Sequence, residues 1–159
     1  MPELILDQFL PYRLNRLAAA IPHGARQVYA QDYDLTIPEW RVLATLGEFP
    51  RLTAKAIGAH SAMHKTKVSR AAKALEDRRW LARETNDDDR REEFLTLTKQ
   101  GQDAYHHLVP KMLAFEQTLR ASLGRDGTQA VLDAIVRLEQ IFGFGSPKIT
   151  APRITPPPR

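Results

Sequence analysis

The chain of 159 residues contains no cysteine. That removes disulfides, thiolate metal sites and thiol redox sensing, and nothing implies an oxidising compartment. Long apolar runs are missing as well. No window is long enough to span a bilayer, and the N-terminus lacks a basic stretch followed by an apolar one. Neither a membrane anchor nor a signal peptide is expected, and the expectation is a cytoplasmic protein with no membrane partner. Catalytic signatures are equally scarce. There is no nucleophile elbow, no glycine-rich phosphate loop and no helix with paired carboxylates. The run Asp87-Asp88-Asp89 lacks the spacing of a calcium loop. The chain is therefore not expected to be an enzyme, or to carry a cofactor or metal. His60 and His64 stand four apart without a clear third ligand, and the adjacent His106 and His107 point apart on a helix.

What the chain does have is a basic middle. Residues 51–100 hold twelve Lys/Arg against eight Asp/Glu, whereas residues 1–50 hold four against six. A local basic excess is the electrostatic footprint of a polyanionic partner. The hydrophobic content of 43% is enough for one compact domain, or for a small module with extra helices.

Leu10, Leu14, Leu17, Ala18 and Ile21 recur at helical spacing and predict a first helix over residues 9–21. Pro22 and Gly24 then force a kink or a restart before Val28 and Tyr29. Thr36-Ile37-Pro38-Glu39 is a capping box with an early proline, opening a second helix through Trp40, Val42, Leu43 and Leu46. Thr53 caps a short third helix through Ala56 and Ile57, and Ser61 caps a fourth that runs to Arg78. Leu81 to Thr85 and Phe94 to Leu97 predict two strands around a polar tip. Helical spacing resumes after Thr98, bends at Pro110, turns at Gly124 and Gly127, and ends in an amphipathic helix from Val131 to Phe142. Beyond it glycine and proline dominate, and the tail reads as extended or disordered.

This order predicts a mainly α fold with a small β-hairpin: a winged helix-turn-helix with dimerisation helices at both ends. The expected division is an N-terminal dimerisation helix region over 1–35 and a DNA-binding winged helix over 36–100. C-terminal dimerisation helices follow over 101–142, then a Pro/Gly-rich tail over 143–159. The flanking helices carry more apolar surface than the central module can cover, and a second copy of the chain is the simplest cover.

The fourth helix carries the strongest functional signal. From Ser61 to Leu75 it holds Lys65, Lys67, Arg70 and Lys73 and no acidic residue. Val68, Ala71, Ala72 and Leu75 form a narrow apolar stripe, opposite Thr66, Ser69, Arg70 and Lys73 at i, i+3, i+4 and i+7. One side can pack on the module while the other offers hydroxyls and cations to the major groove of double-stranded DNA. The plain alternative is a solvated basic helix. At the hairpin tip Arg90 and Arg91 follow three aspartates. A tip arginine suits a narrow minor groove, with Asp89 orienting Arg91, although such a turn can also simply pair its own charges.

Asp89-Arg90-Arg91, then Leu97-Thr98, then Gly101 resemble the wing signature of the MarR (multiple antibiotic resistance regulator) family, an Asp-x-Arg followed by Leu-Thr and a glycine. Trp40-Arg41-Val42-Leu43, the Ala54–Ile57 stretch and Lys67-Val68-Ser69-Arg70 are similar to that family's second, third and recognition helices. The resemblance runs in order through residues 9–142. It implies an obligate homodimer joined by the terminal helices, a pseudo-palindromic operator, and a small ligand that usually relieves repression. One departure is Arg79, where the family often has a glycine that closes the recognition helix. An arginine in a left-handed conformation costs about 1 kcal/mol, so the helix is expected to close in another way.

The resemblance also implies a ligand cleft between the DNA-binding module and the dimer helices. Here that maps to the first, second and fifth helices, where Tyr12, Arg13, Arg16, His23, Trp40 and Arg41 offer aromatic faces and cations. These suit a phenolic carboxylate or its coenzyme A thioester, though each is also an ordinary residue of an amphipathic helix. The run Phe9-Leu10-Pro11-Tyr12-Arg13-Leu14 is similar to members that respond to aromatic acids from plant-material breakdown. The reading is a ligand-responsive repressor released by a small aromatic acid. Its rivals are a general xenobiotic or efflux regulator of the same fold, and a winged helix that binds protein without a ligand. The last would call for an apolar or mixed-charge recognition helix, and this one is basic up to Glu76.

Overall fold

The structure is a computed structural model that describes residues 1, 3–85 and 92–143. A 3-10 turn at Leu6–Gln8 leads into α1 (Leu10–Tyr33), α2 (Ile37–Glu48), β1 (Leu52–Thr53), α3 (Ala54–Ser61) and α4 (Lys65–Asp77). Then come β2 (Leu81–Thr85), β3 (Glu93–Leu97) and α5 (Lys99–Phe142). The fold is the mainly helical winged arrangement expected. The hairpin grows into a three-stranded antiparallel sheet of order β1-β3-β2, with Leu95 of β3 opposite both Leu52 and Arg83. Two residues of β1 are too few for a period of two to show in a sequence.

Each helix start has a local cause. Thr36 and Glu39 close the capping box reciprocally, at 3.4 Å and 3.1 Å, and open α2. Thr53 Oγ1 accepts from the Ala56 N–H at 3.2 Å and opens α3. Ser61 does not cap the fourth helix as its position suggested. It ends α3, and its Oγ donates to the Ile57 carbonyl at 2.6 Å, the back-bonding open to a helical serine. Ala62, left-handed at φ 52°, turns the chain, and His64 caps α4 by accepting from the Thr66 N–H at 3.4 Å.

Pro22 does not end the first helix either. α1 runs for 24 residues through it, because Ala25 and Tyr29 beyond the proline are buried and hold the second half of the helix on the core. α5 likewise continues through Pro110, but Gly124 (φ 69°, ψ 174°) breaks it into two helices where a turn was expected. The tip at 86–91 and the tail at 144–159 lie outside the described residues.

One apolar cluster holds the module together. Val42, Leu43 and Leu46 of α2 meet Ile57 of α3, the Val68 and Leu75 stripe of α4, Leu81 and Leu95 of the sheet, and Leu108 of α5. Full burial of such a side chain contributes about 1.5–3 kcal/mol. Outside the cluster, Leu10, Leu14, Leu17 and Ile21 of α1 and Leu132, Ile135, Val136 and Phe142 of α5 are exposed. Among the described residues no helix is long and apolar enough to cross a membrane.

Candidate nucleic-acid interface

The two faces of α4 separate as its sequence pattern requires. Val68, Ala71, Ala72 and Leu75 are buried, whereas Lys65, Thr66, Lys67, Ser69, Arg70 and Lys73 are exposed. Lys65 and Lys67 stand in a first turn with no acidic residue. Cations there oppose the helix macrodipole, so they bring the helix no stability. The same end, with two exposed ammonium groups, is suited to phosphate oxygens. Lys65, Lys67 and Arg70 form no ion pair with another described residue. Lys73 differs. Its Nζ lies 2.8 Å from Asp77 Oδ1 and 3.9 Å from Glu76 Oε2, and the Asp77 hydrogen bond holds its pKa above the ordinary lysine value. Its charge is already answered within the helix, so the free cations lie toward the N-terminal part of α4.

The far end of α4 closes in the way Arg79 seemed to forbid. Arg79 is left-handed at φ 62°. Its N–H donates to the Glu76 carbonyl at 2.8 Å, and the Trp80 N–H to the Leu75 carbonyl at 2.9 Å, the pair of bonds of a Schellman closure. The cost of about 1 kcal/mol for a left-handed side-chain residue is offset by this closure and by its anchor on the next element. Thr98 Oγ1 donates to the Arg79 carbonyl at 2.7 Å, and the Thr98 N–H donates to the Trp80 carbonyl at 3.0 Å. Thr98 also caps α5, accepting from the Gly101 N–H at 3.2 Å.

The wing is fastened to the same end of the helix. Arg83 of β2 places Nε 3.2 Å from Glu76 Oε1 on α4 and Nη1 2.9 Å from Glu93 Oε2 on β3. Arg51 pairs with Glu84 at 3.1 Å and covers the Phe94 ring at 3.9 Å. The tip candidates Arg90 and Arg91, with Asp89, lie outside the described residues.

The candidate ligand residues fall into two groups. Tyr12, Arg13 and Arg16 lie in the first turns of α1, where Arg16 pairs with Asp7 at 3.4 Å and sits 5.7 Å from the Tyr12 ring. Trp40 and Arg41 lie on α2, where Trp40 stacks on Tyr29 with centroids 5.4 Å apart and planes 16° from parallel. Arg16 and Tyr29 are thirteen residues apart on α1, roughly 20 Å at the helical rise. One chain therefore does not bring the two groups together, and His23 is exposed between them. Sequence reasoning missed Tyr29 and Arg26. Burial pushes the Tyr29 hydroxyl up, and the nearby Arg26 and Arg41 act against that rise. Both cations thus lie near the buried Tyr29, and Arg26 also pairs with Asp34 at 3.6 Å. The signal available in the sequence was the i, i+3 spacing of Arg26 and Tyr29.

The histidines have other roles. His60 packs edge-on to Phe49 at 5.2 Å, His64 is the α4 cap, and His107 reaches Asp32 at 2.8 Å. Among the described residues no cluster of three or more His, Asp or Glu could hold a metal.

Comparison with known proteins bears on this geometry. Residues 33–92, from the end of α1 to the wing, match the MarR family model. The chain is 28% identical over 125 residues to the uncharacterised HTH-type transcriptional regulator YwoH of Bacillus subtilis (strain 168), spanning 79% of this chain and 90% of that one. The fold is shared with Sco3205, a MarR family transcriptional regulator from Streptomyces coelicolor solved in complex with DNA. That match has a TM-score of 0.73 at 21% identity and covers 87% of this chain and 88% of Sco3205. It is shared too with NadR in complex with 4-hydroxyphenylacetate, with a TM-score of 0.68 at 19% identity, covering 89% and 99%. Over residues 33–92 the chain thus resembles the MarR family in sequence, and its winged helix has the fold of MarR family transcription regulators.

Proposed function

We propose that this protein is a homodimeric repressor that reads a pseudo-palindromic operator with α4 and is released by a small aromatic acid or its coenzyme A thioester. The observation that carries the reading is the exposed N-terminal half of α4, which has no acidic residue. Lys65 and Lys67 reach phosphates there, while Thr66, Ser69 and Arg70 face base edges. Arg90 and Arg91 at the wing tip would add a minor-groove contact. The exposed leucines and isoleucines of α1 and α5 support a dimer, with the regions 1–35 and 101–142 joining the two copies and 36–100 reading DNA. Sco3205 is a neighbour in fold that was solved with DNA, which favours this use of the winged helix over protein binding. A cytoplasmic location follows from such a role.

NadR, solved with 4-hydroxyphenylacetate, supports a phenolic carboxylate as effector. Tyr29, Trp40, Arg26 and Arg41 would hold its ring and carboxylate. Tyr12, Arg13 and Arg16 lie too far along α1 to serve the same small acid from the same chain, so they would come from the second copy.

The test starts from a duplex enriched by the protein out of a randomised pool. Arg70→Ala is expected to weaken binding to that duplex by about 1–3 kcal/mol per half-site, with a smaller loss on random DNA. Lys73→Ala, whose ammonium Asp77 already holds, should lose less than Arg70→Ala. If the wild-type protein enriches no duplex, the reading fails.

A further inference from the structure

We infer that Arg78 is a positioning residue that fixes the recognition helix α4 relative to the helices α1 and α5; this rests on the DNA-binding reading above. Arg78 is the C-cap of α4. Its guanidinium does not serve its own helix. Nη1 donates to the Tyr33 carbonyl at 2.8 Å and Nη2 to the Asp34 carbonyl at 3.5 Å. Tyr33 is the last residue of α1 and Asp34 its left-handed cap, at φ 49°. The last carbonyls of a helix lack intrahelical donors and carry the negative end of its dipole. A planar, permanently charged fork of N–H groups is well matched to two such oxygens. The end of the recognition helix thus plugs the end of α1.

The surroundings make this spot a joint. The Tyr33 ring meets Trp80 edge-on at 4.9 Å, and the Arg78 guanidinium lies 5.5 Å from the Trp80 ring. On its other side Tyr33 meets His107 of α5 at 5.7 Å. One residue earlier, Asp32 accepts hydrogen bonds from both His107 and Lys111 of α5. The last turn of α1 is therefore gripped by α5 on one side and by the end of α4 on the other.

Packing inside the winged module does not settle how the module sits on α1 and α5. The stripe of α4 fixes it against α2, which makes the module rigid but leaves its attachment to other contacts. On the α1 side those include the Tyr29–Trp40 stack, the Tyr33–Trp80 contact and Arg78, while Thr98 and Gly101 seat the start of α5 on the turn that closes α4. Ring contacts tolerate sliding, whereas hydrogen bonds to two fixed carbonyls are directional. Leverage adds weight to Arg78. Lys65, at the reading end of α4, is thirteen residues from Arg78, roughly 20 Å along the helix. A rotation of about 5° at the joint moves Lys65 by roughly 2 Å over that length. Two recognition helices on one operator must keep a spacing of about 34–36 Å, so such play would blur the match.

The test uses the full-length protein, the duplex it enriches, and the same duplex with one base pair inserted between the half-sites. The wild type should bind the inserted duplex at least about tenfold more weakly. Arg78→Gln should reduce that discrimination to under about threefold, with the dimer intact and the melting temperature within about 2 °C of the wild type. Arg78→Lys, which keeps the charge but not the fork, should fall between them. Undiminished discrimination in Arg78→Gln overturns the inference. So does discrimination lost only together with the dimer or the melting transition, because Arg78 would then be a fold residue. A wild-type protein that enriches no duplex overturns the DNA-binding reading as well, and is thereby told apart from a silent Arg78.

Discussion

A Cβ on Gly101 would lie 2.1 Å from the carbonyl oxygen of Trp80. That oxygen already accepts the Thr98 N–H at 3.0 Å, so the start of α5 sits directly on the turn that closes the recognition helix. The obstructing atom belongs to the backbone and cannot rotate away. Gly101→Ala is therefore expected to destabilise the protein by about 1–3 kcal/mol, as overpacking does. Urea denaturation at fixed protein concentration would measure it, as a lower midpoint with an unchanged slope. An unchanged midpoint would mean that α5 can shift away from the turn at no cost.

The closing turn itself predicts a change of the opposite sign. Arg79 is left-handed at φ 62°, a conformation that costs a residue with a Cβ about 1–2 kcal/mol. Glycine would remove that cost and give back about 0.4–1 kcal/mol through the freer unfolded chain. Arg79→Gly should thus stabilise by about 0.5–1 kcal/mol, while a β-branched Arg79→Val should destabilise. The same denaturation experiment compares them. If Arg79→Gly is less stable than the wild type, the side chain makes a contact that outweighs the backbone strain.

Legibility in the sequence tracked how local each cause was. The Thr36–Glu39 capping box, the Thr53 cap and the Val68–Leu75 stripe all act within a turn or two of helix, and each is where the pattern put it. Gly101 was visible as a motif, but its reason, the Trp80 carbonyl, was not. Pro22 misled because burial of Tyr29 outweighs one lost hydrogen bond. Ser61 misled because its hydroxyl turned back into its own helix. Arg78 was unreadable, since its partner Tyr33 is 45 residues away. The ligand candidates shared a composition suited to an acid, yet composition says nothing about the roughly 20 Å of helix between them.

The grip of α5 on α1 has a pH dependence whose sign follows from Asp32. Hydrogen bonds from Lys111 first and His107 second hold its carboxyl below the ordinary aspartate value. A depressed carboxylate stabilises the fold above its unfolded pKa, about 3.9, and that contribution is lost as pH falls through the folded value. The wild type should therefore melt above Asp32→Asn near neutral pH, with the gap closing as the pH drops below about 4. Both proteins are melted across that range at one ionic strength, since salt screens such a pair. A gap that widened toward acid would show that the carboxylate is not what the two α5 residues hold.

Effector control makes the sharpest demand on the candidate site. A ligand can shift the spacing of two recognition helices only by binding one dimer geometry better than the other. Trp40 on α2 and Tyr29 on α1 form a stack that joins the winged module to α1, with Arg26 and Arg41 near the Tyr29 hydroxyl. An aromatic carboxylate docked there would contact both sides of that joint. Arg41→Ala should then blunt the loss of operator binding caused by phenolic acids, while binding to the operator without ligand stays within about 0.5 kcal/mol of the wild type. Arg13→Ala and Arg16→Ala test the contribution of the start of α1. Within one chain they are too distant to matter for a small acid, so an effect from either would mean that the second copy completes the site. Anisotropy titrations across benzoates, cinnamates, hydroxyphenylacetates and the corresponding coenzyme A thioesters decide it. If a phenolic acid releases the operator and Arg41→Ala responds like the parent, the stack is not the effector site. If none releases it, the effector is of another chemical class, and the surface of α4 keeps its role.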